Sequence, residues 1–227
     1  MTDLKWTVAA AFCDPPAILA LEAGLPYYLL AFGLAFLIGA IPFGLLVARG
    51  FGLGDIRKIG SGNIGATNVL RTGNKTAAAL TLALDAAKGA IPALLGFYLA
   101  GPIAAACAGL GGFLGHCYSP FLGFKGGKGV ATGFGVLLAW RWELGLICAL
   151  VWVATALLVR ISSVASLATA VAAVIAANAL AECDALPFAI VMAAVLIWRH
   201  RANIARLIRG EEPRIGGARP ASGPPAP

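Results

Sequence analysis

Long apolar stretches alternate along the chain with short polar breaks, at approximately 27–48, 76–99, 102–121, 129–140, 144–159, 164–181 and 186–199. A helix needs about 20 mainly apolar residues to cross the hydrocarbon core, and fewer where flanking groups snorkel or the bilayer thins, so the short fourth and seventh stretches still qualify. The pattern predicts an all-α integral membrane protein with seven transmembrane helices. Residues 1–26 are different: Asp3, Asp14, Glu22 and the Pro15-Pro16 pair interrupt their apolar content and do not fit a signal peptide, so an interfacial helix is expected there. The expected organisation is this N-terminal segment, a membrane domain over 27–213, and a tail over 214–227 whose Pro, Gly and Arg content predicts disorder.

Composition removes the main competitors. Of 227 residues, 60% are apolar and only 12% charged, against about 25% charged in an ordinary soluble domain. The 29 glycines agree with close helix contacts in a bilayer. Cys13, Cys107, Cys117, Cys148 and Cys183 are scattered through mostly apolar runs with no CxxC pair, which excludes a disulfide scaffold and a zinc site and leaves small buried hydrophobes.

Charge then fixes the orientation. Seven crossings place 14 of the 17 basic residues on one side and leave only Lys5 and Arg141 on the other, where most of the acids lie. The positive-inside rule therefore puts the N-terminus outside and the C-terminus in the cytoplasm. A missed or invented span would split the basic loops between the two faces, so the asymmetry supports the count independently of hydropathy. The net charge of +7 is explained by this face and by anionic lipid, with no nucleic-acid partner expected.

The unusual loops all fall on that cytoplasmic side. The first runs from Gly60 through Ser61, Gly62, Asn63, Ile64, Gly65, Ala66, Thr67 and Asn68 to Arg71. Its glycines allow close approach to the main chain, Ser61, Asn63 and Asn68 add polar groups, and Arg71 offers two parallel bonds to a phosphate. The second, Phe124 to Thr132, opens the fourth span. Gly126, Gly127 and Gly129 are expected to act through backbone approach to an anion at a helix start, with Lys128 adding charge. The nucleotide-binding form GxxxxGK[ST] is absent, because Leu122 and Gly129 stand where it needs a glycine and a hydroxyl. The third loop carries Ser162, Ser163 and Ser166, and the last span exits into Arg199, His200, Arg201 and Asn203. On a continuing helix His200 and Asn203 share a face, within reach of Arg199 and Arg206. Four polar segments on one face of a bundle point to one shared site for anionic groups.

Two charged residues lie deep in the second span. Asp85 and Lys88 are i, i+3 and read as a structural ion pair, a transporter proton relay being the alternative; no other span carries a mid-membrane ionisable group to continue a relay. His116, at the end of the third span, is expected to pack or bond a carbonyl near the second loop.

Together GSGNIGATNVLRT (60–72), LDAAKG (84–89), GHCYSPFLGFKGGKGVAT (115–132), the serine-rich segment 162–166 and HRANIARLIRGEE (200–212) resemble the bacterial acyl-phosphate:glycerol-3-phosphate acyltransferase family. The resemblance covers the chain from about 30 to 213. It implies a seven-helix enzyme of the bacterial cytoplasmic (inner) membrane, with its site facing the cytoplasm. Acyl phosphate and glycerol 3-phosphate would give 1-acyl-glycerol 3-phosphate (lysophosphatidic acid) and phosphate, the first acylation of phospholipid synthesis. Functional positions of the family carry over onto Ser61, Arg71, Lys128, His200 and Asn203. A serine of 162–166 joins them, with Ser166 favoured by spacing and Ser163 the fallback. The family's glutamate matches Glu211, in a structural role. Asn63, Gly65, Asn68, Gly126, Gly127 and Gly129 complete the substrate-binding set.

The usual glycerolipid acyltransferases pair a His with an Asp five residues on, but Phe121 follows His116 and Ala205 follows His200 at that distance. An acyl phosphate is already activated, so a site that positions two anions and stabilises carbonyl charge is sufficient. The leaving phosphate takes the hydroxyl proton in this reading, and His200 donates to a phosphate or to the carbonyl oxygen. No metal, other cofactor or obligatory protein partner is expected; the partners are the two substrates and membrane lipid. The alternative is a transporter or flippase for a phosphorylated metabolite or lipid, which would need polar residues continuing through the membrane.

Overall fold

The computed structural model describes residues 17–180 and 185–216, with side chains from residue 24 onward. Every regular element in it is helical: α1 (Ala17–Gly39), α2 (Phe43–Gly50), α3 (Ala66–Leu70), a long run α4 (Lys75–Cys117), α5 (Val130–Trp140), α6 (Trp142–Val159), α7 (Ser162–Ala179), α8 (Ala185–Arg199) and α9 (Arg201–Ile208). Short 3-10 turns stand at Ile56–Lys58 and Pro120–Leu122.

Of the segment expected to lie on the interface, residues 1–16 fall outside the described part, and from Ala17 the chain runs as one helix through position 26 into the first apolar stretch. That stretch does not stay helical to residue 48. It breaks at 40–42, because Pro42 has no N–H to give and disfavours helical geometry in the residue before it. Polar backbone freed inside a membrane must find partners. Ser119 Oγ donates to the Ala40 carbonyl at 2.6 Å and Lys88 Nζ to the Ile41 carbonyl at 2.8 Å.

The 43-residue α4 is two helices in one run. Ala100 and Gly101 leave helical geometry, Gly101 with φ of 82°. Beyond them the chain doubles back: Gly96 abuts the backbone of Ala104, and Gly112 abuts that of Lys88 and Gly89. The arms 75–99 and 102–117 are therefore antiparallel, as the second and third apolar stretches require. Lys88 pairs with Asp85 at 2.8 Å with both side chains 2% exposed, which is the structural pair expected from the sequence.

The surface is apolar and the interior is partly polar. Leu99, Leu157, Leu158 and Ile175 are well exposed, whereas Asn68, Asp85, Lys88, His116, Ser163, Ser166, His200 and Asn203 are buried. Among the described residues four stretches are long and apolar enough to cross a membrane: Gly24–Gly50, Lys75–Leu122, Trp142–Val159 and Ser162–Ala179. The pair α8 and α9, bent by 56°, makes a fifth if counted as one, and α5 is a shorter apolar helix. The chain is thus an all-helical integral membrane protein, and its buried polar groups collect near the loops that join the helices.

Candidate active site

A cavity of about 510 Å³ opens where these loops meet. It is lined by every residue of the expected catalytic and substrate-binding set except Gly126 and Gly127. Each loop reaches it by a different local device.

In the first loop Asn68 is the organiser. Its Nδ2 donates to the Ile56 carbonyl at 2.7 Å. Its Oδ1 accepts from the Ser61 amide at 3.1 Å, the Ser61 hydroxyl at 3.4 Å and Arg71 Nη1 at 3.3 Å. Asn68 was expected to bind substrate; its Oδ1 is used in presenting Ser61 and Arg71. Gly60 takes φ of 54°, a turn that brings Ser61 over Asn68. Asn63 accepts from the Ile64 amide at 3.0 Å, and Gly65 caps α3 in ordinary extended geometry, so only their position at the rim suits them to a ligand. Thr67 Oγ1 lies 3.5 Å from Ser162 Oγ, joining this loop to the third.

Lys128 and Gly129 of the second loop line the cavity, Gly129 with φ of 83° at the start of α5. Gly126 and Gly127 do not line it, which corrects their expected role in approaching an anion. A side chain on Gly127 would strike the His116 ring, and one on Gly126 the His116 and Cys117 backbone; these glycines are required by packing. His116 is buried with Nδ1 3.6 Å from Asp85, and its carbonyl accepts from the Gly127 amide at 2.9 Å.

The two serines of the third loop differ. Ser166 Oγ donates to the Ser162 carbonyl at 2.9 Å and accepts from Trp152 Nε1 at 3.2 Å. Ser163 Oγ donates at 2.8 Å to Glu212, the carboxylate that Asn203 Nδ2 and Arg206 Nε also reach, at 2.5 and 2.7 Å. Ser163 is thus the serine that shares an anion with Asn203, against the preference for Ser166. The two adjacent glutamates also differ: Glu211, expected in a structural role, pairs with Arg209 on the surface with its side chain 57% exposed, while the Glu212 side chain is 6% exposed. Two adjacent glutamates gave no sequence signal to choose between them. The main chain is still held beyond residue 214, where Ile215 N donates to the Arg160 carbonyl at 2.6 Å; residues 217–227 of the expected tail lie outside the described part.

Electrostatics favours an anion. Burial pushes Lys128 down to about 8, with Glu212 opposing and Arg206, Arg71 and Arg199 adding like charge. Its ammonium makes no hydrogen bond or ion pair among the described residues. Burial likewise lowers Arg71, which stays cationic. Burial opposes the charge on Glu212, but hydrogen bonds from Asn203, Ser163 and Arg206 outweigh it and hold the carboxyl below its usual range. His200 is pushed to about 4 by burial and then by Lys128, against the bond to the Leu196 carbonyl. That bond, 2.8 Å from Nδ1, occupies the ring N–H of the neutral imidazole. In that form Nε2 is an acceptor, where the sequence led to the expectation of a donor. Away from the charges the wall turns apolar, with Ala78, Leu82, Phe134, Ala149 and Val153.

A polar head holding cations and an apolar extension fit a substrate that is part anion and part hydrocarbon. A family model described as glycerol-3-phosphate acyltransferase matches residues 29–210. The chain belongs to the glycerol-3-phosphate acyltransferase family. Relatives called glycerol-3-phosphate acyltransferase include one from Jannaschia sp. (strain CCS1), 55% identical over 183 residues, 81% of this chain and 90% of the relative. Another, from Ruegeria sp. (strain TM1040), is 54% identical over 197 residues, 87% of this chain and 98% of the relative. The crystal structure of PlsY (YgiH), an integral membrane glycerol 3-phosphate acyltransferase, in its glycerol 3-phosphate form, matches with a TM-score of 0.79 at 41% identity, over 84% of this chain and 96% of that one. Its lysophosphatidic acid form matches at 0.77 and 40%, over 83% and 95%. As a glycerol-3-phosphate acyltransferase the chain is a multi-pass membrane enzyme, and Glu212 and Trp152 line its cavity although sequence reasoning did not single them out.

Proposed function

We propose that this acyltransferase takes its acyl group from an acyl phosphate and delivers it to glycerol 3-phosphate in the cavity between the cytoplasmic loops, giving lysophosphatidic acid and phosphate. The observation that carries the reading is the Lys128 ammonium, unpaired among the described residues, in one cavity with the acceptor Nε2 of His200 and with an apolar wall. Lys128 and Arg71 hold the two anions, assisted by Ser61, Ser163 and Asn203. The apolar wall between the arm 75–99 and α6 receives the acyl chain, entering from lipid past the exposed Leu82 and Val153.

In the reaction the glycerol hydroxyl oxygen bonds to the acyl carbonyl carbon, the bond from that carbon to the phosphate oxygen breaks, and the phosphate leaves. The hydroxyl proton goes to the leaving phosphate. His200 Nε2 accepts this proton first and hands it on to the leaving phosphate oxygen, a role that needs no paired carboxylate because the mixed anhydride is already activated and the proton does not stay on the imidazole.

The same reading gives seven crossings, N-terminus outside and the site facing the cytoplasm of the bacterial inner membrane. The reversal at Ala100–Gly101 supports counting the long run as two crossings, and α5 counts as a short one. The 14 of 17 basic residues on one side support the orientation. The direct test is phosphate release by the purified protein. Acyl phosphate with glycerol 3-phosphate should turn over, while acyl-CoA and acyl-carrier protein should not; equal turnover with acyl-CoA would refute the donor assignment.

A further inference from the structure

Gly126 and Gly127 lead into Lys128, yet neither lines the cavity. Their carbonyls both accept from one side chain. Arg199 Nε reaches the Gly127 carbonyl at 3.0 Å and Nη2 reaches that of Gly126 at 2.5 Å. A guanidinium presents these N–H groups in a fixed plane, so two bonds to consecutive carbonyls set the tilt of the loop as well as its position. The same guanidinium lies over the Tyr118 ring, 5.3 Å from its centroid. Arg199 does not itself line the cavity; it is the last residue of α8 and adjoins His200. It is therefore tied at once to the loop that carries Lys128 and to the turn that carries His200.

We propose that Arg199 is a positioning residue for acyl transfer, gripping the Gly126 and Gly127 carbonyls so that Lys128 is held in register with His200 across the cavity. The inference rests on the assignment of Lys128 as an anion ligand. Glycine loses more conformational freedom on ordering than any other residue, and Lys128 has a glycine on each side. The Lys128 ammonium has no partner of its own among the described residues that would fix it. A loop of this kind without a clamp has to be ordered by the substrate at each binding event, and a displacement of about 1 Å in a positioned group costs on the order of 100-fold in rate.

The test uses the full-length protein reconstituted with phospholipid, with initial rates of phosphate release against each substrate and the thermal midpoint without substrate. Arg199→Gln, Arg199→Lys and Lys128→Gln are compared with Arg201→Gln, whose guanidinium stacks on Trp198 at 4.9 Å and bonds the Trp198 carbonyl. Arg199→Gln should lower kcat/KM by roughly 10- to 100-fold with little change in midpoint. It should raise KM for the same substrate as Lys128→Gln does, since it acts through that lysine. Arg199→Lys keeps the charge and the ring contact without the planar fork and should fall between, and Arg201→Gln should match the parent. Wild-type kinetics in Arg199→Gln, beside an impaired Lys128→Gln, overturns the inference alone. Wild-type kinetics in Lys128→Gln overturns the anion-ligand assignment and the inference with it. A loss in Arg199→Gln that only tracks the amount of folded protein, with both KM values unchanged, assigns Arg199 a packing role and also overturns the inference. If Arg199→Gln does not fold, Arg199→Lys carries the same criteria.

Discussion

Two groups of buried charge in this bundle are finished differently. Asp85, Lys88 and His116 form a closed set in that their charges meet one another, although Asp85 and His116 also border the cavity: Lys88 meets Asp85 at 2.8 Å and the Ile41 carbonyl at 2.8 Å, lies 5.7 Å from the centre of the Phe43 ring, and Asp85 faces His116 at 3.6 Å. Arg71, Lys128, Arg206, His200 and Glu212 form an open set, in which the cations outnumber the carboxylate and the Lys128 ammonium has no direct partner among the described residues. The closed set spends its charge on a helix break and on the packing of neighbouring segments. The open set has charge left over, aimed into a cavity. Burial of an ionisable group therefore does not by itself mark function in a membrane; an unmet charge facing a space large enough for a ligand does.

The sharpest way to break the comparison is to open the closed set. Lys88→Met strands Asp85, and removing one partner of a buried pair costs about 3–5 kcal/mol. Little folded protein should be recovered, read as the monodisperse fraction after detergent extraction. Asp85→Asn with Lys88→Met should restore most of it, leaving the Ile41 carbonyl unpaired at a cost of about 1–3 kcal/mol. If Lys88→Met folds and melts like the parent, the closed set is not structural.

The next effect belongs to the open set. His200→Ala should reduce kcat by about 100- to 1,000-fold, within the range for a positioned proton-handling group, with the thermal midpoint nearly unchanged. His200→Gln offers a side-chain carbonyl as an acceptor and should recover part of the loss if hydroxyl orientation is the role. Equal losses in both variants would argue for an imidazole-specific role.

Between the two sets lies Gly127. Gly127→Ala places its methyl against the His116 ring and should destabilise by about 1–3 kcal/mol, as overpacking does. The melting temperature reports it. A normal midpoint with a raised KM would restore the direct anion-approach role that the sequence suggested.

That glycine also shows where sequence reading stops. The apolar stretches found their helices, and Gly101-Pro102 fell at the reversal between two of them. Pro42 broke the first stretch because its own missing N–H outweighs apolar content, a local signal that hydropathy passes over. The polar loops converged on one cavity as expected, because residues that bind anions must reach a common space. Which way their groups face was not legible. A glycine-rich turn can offer amides or carbonyls, and only the approach of Arg199, 72 residues away from Gly127, decides for carbonyls. Glu212 becomes distinct from Glu211 through Ser163, 49 residues distant, together with Asn203 and Arg206. His200 Nε2 is left as an acceptor because the Leu196 carbonyl, one turn earlier, accepts the hydrogen bond from Nδ1–H.

The smallest effect is a pH dependence, and it tests the openness of the second set. Lys128 is held at about 8, so in the free enzyme it is charged below that pH and neutral above it. An anion ligand that loses its charge binds less, so kcat/KM for the substrate held by Lys128 should fall as pH rises through about 8. The decline should reach about tenfold per pH unit well above it, because kcat/KM reports ionisations of the free enzyme. Lys128→Arg keeps the charge on a group that does not titrate in this range. Whatever its rate at pH 7, its profile should stay flat between pH 7.5 and 9.5 if Lys128 is the ionising group. A limb that persists unchanged in Lys128→Arg would place the ionisation elsewhere and would mean that Lys128 is as fully compensated as Lys88.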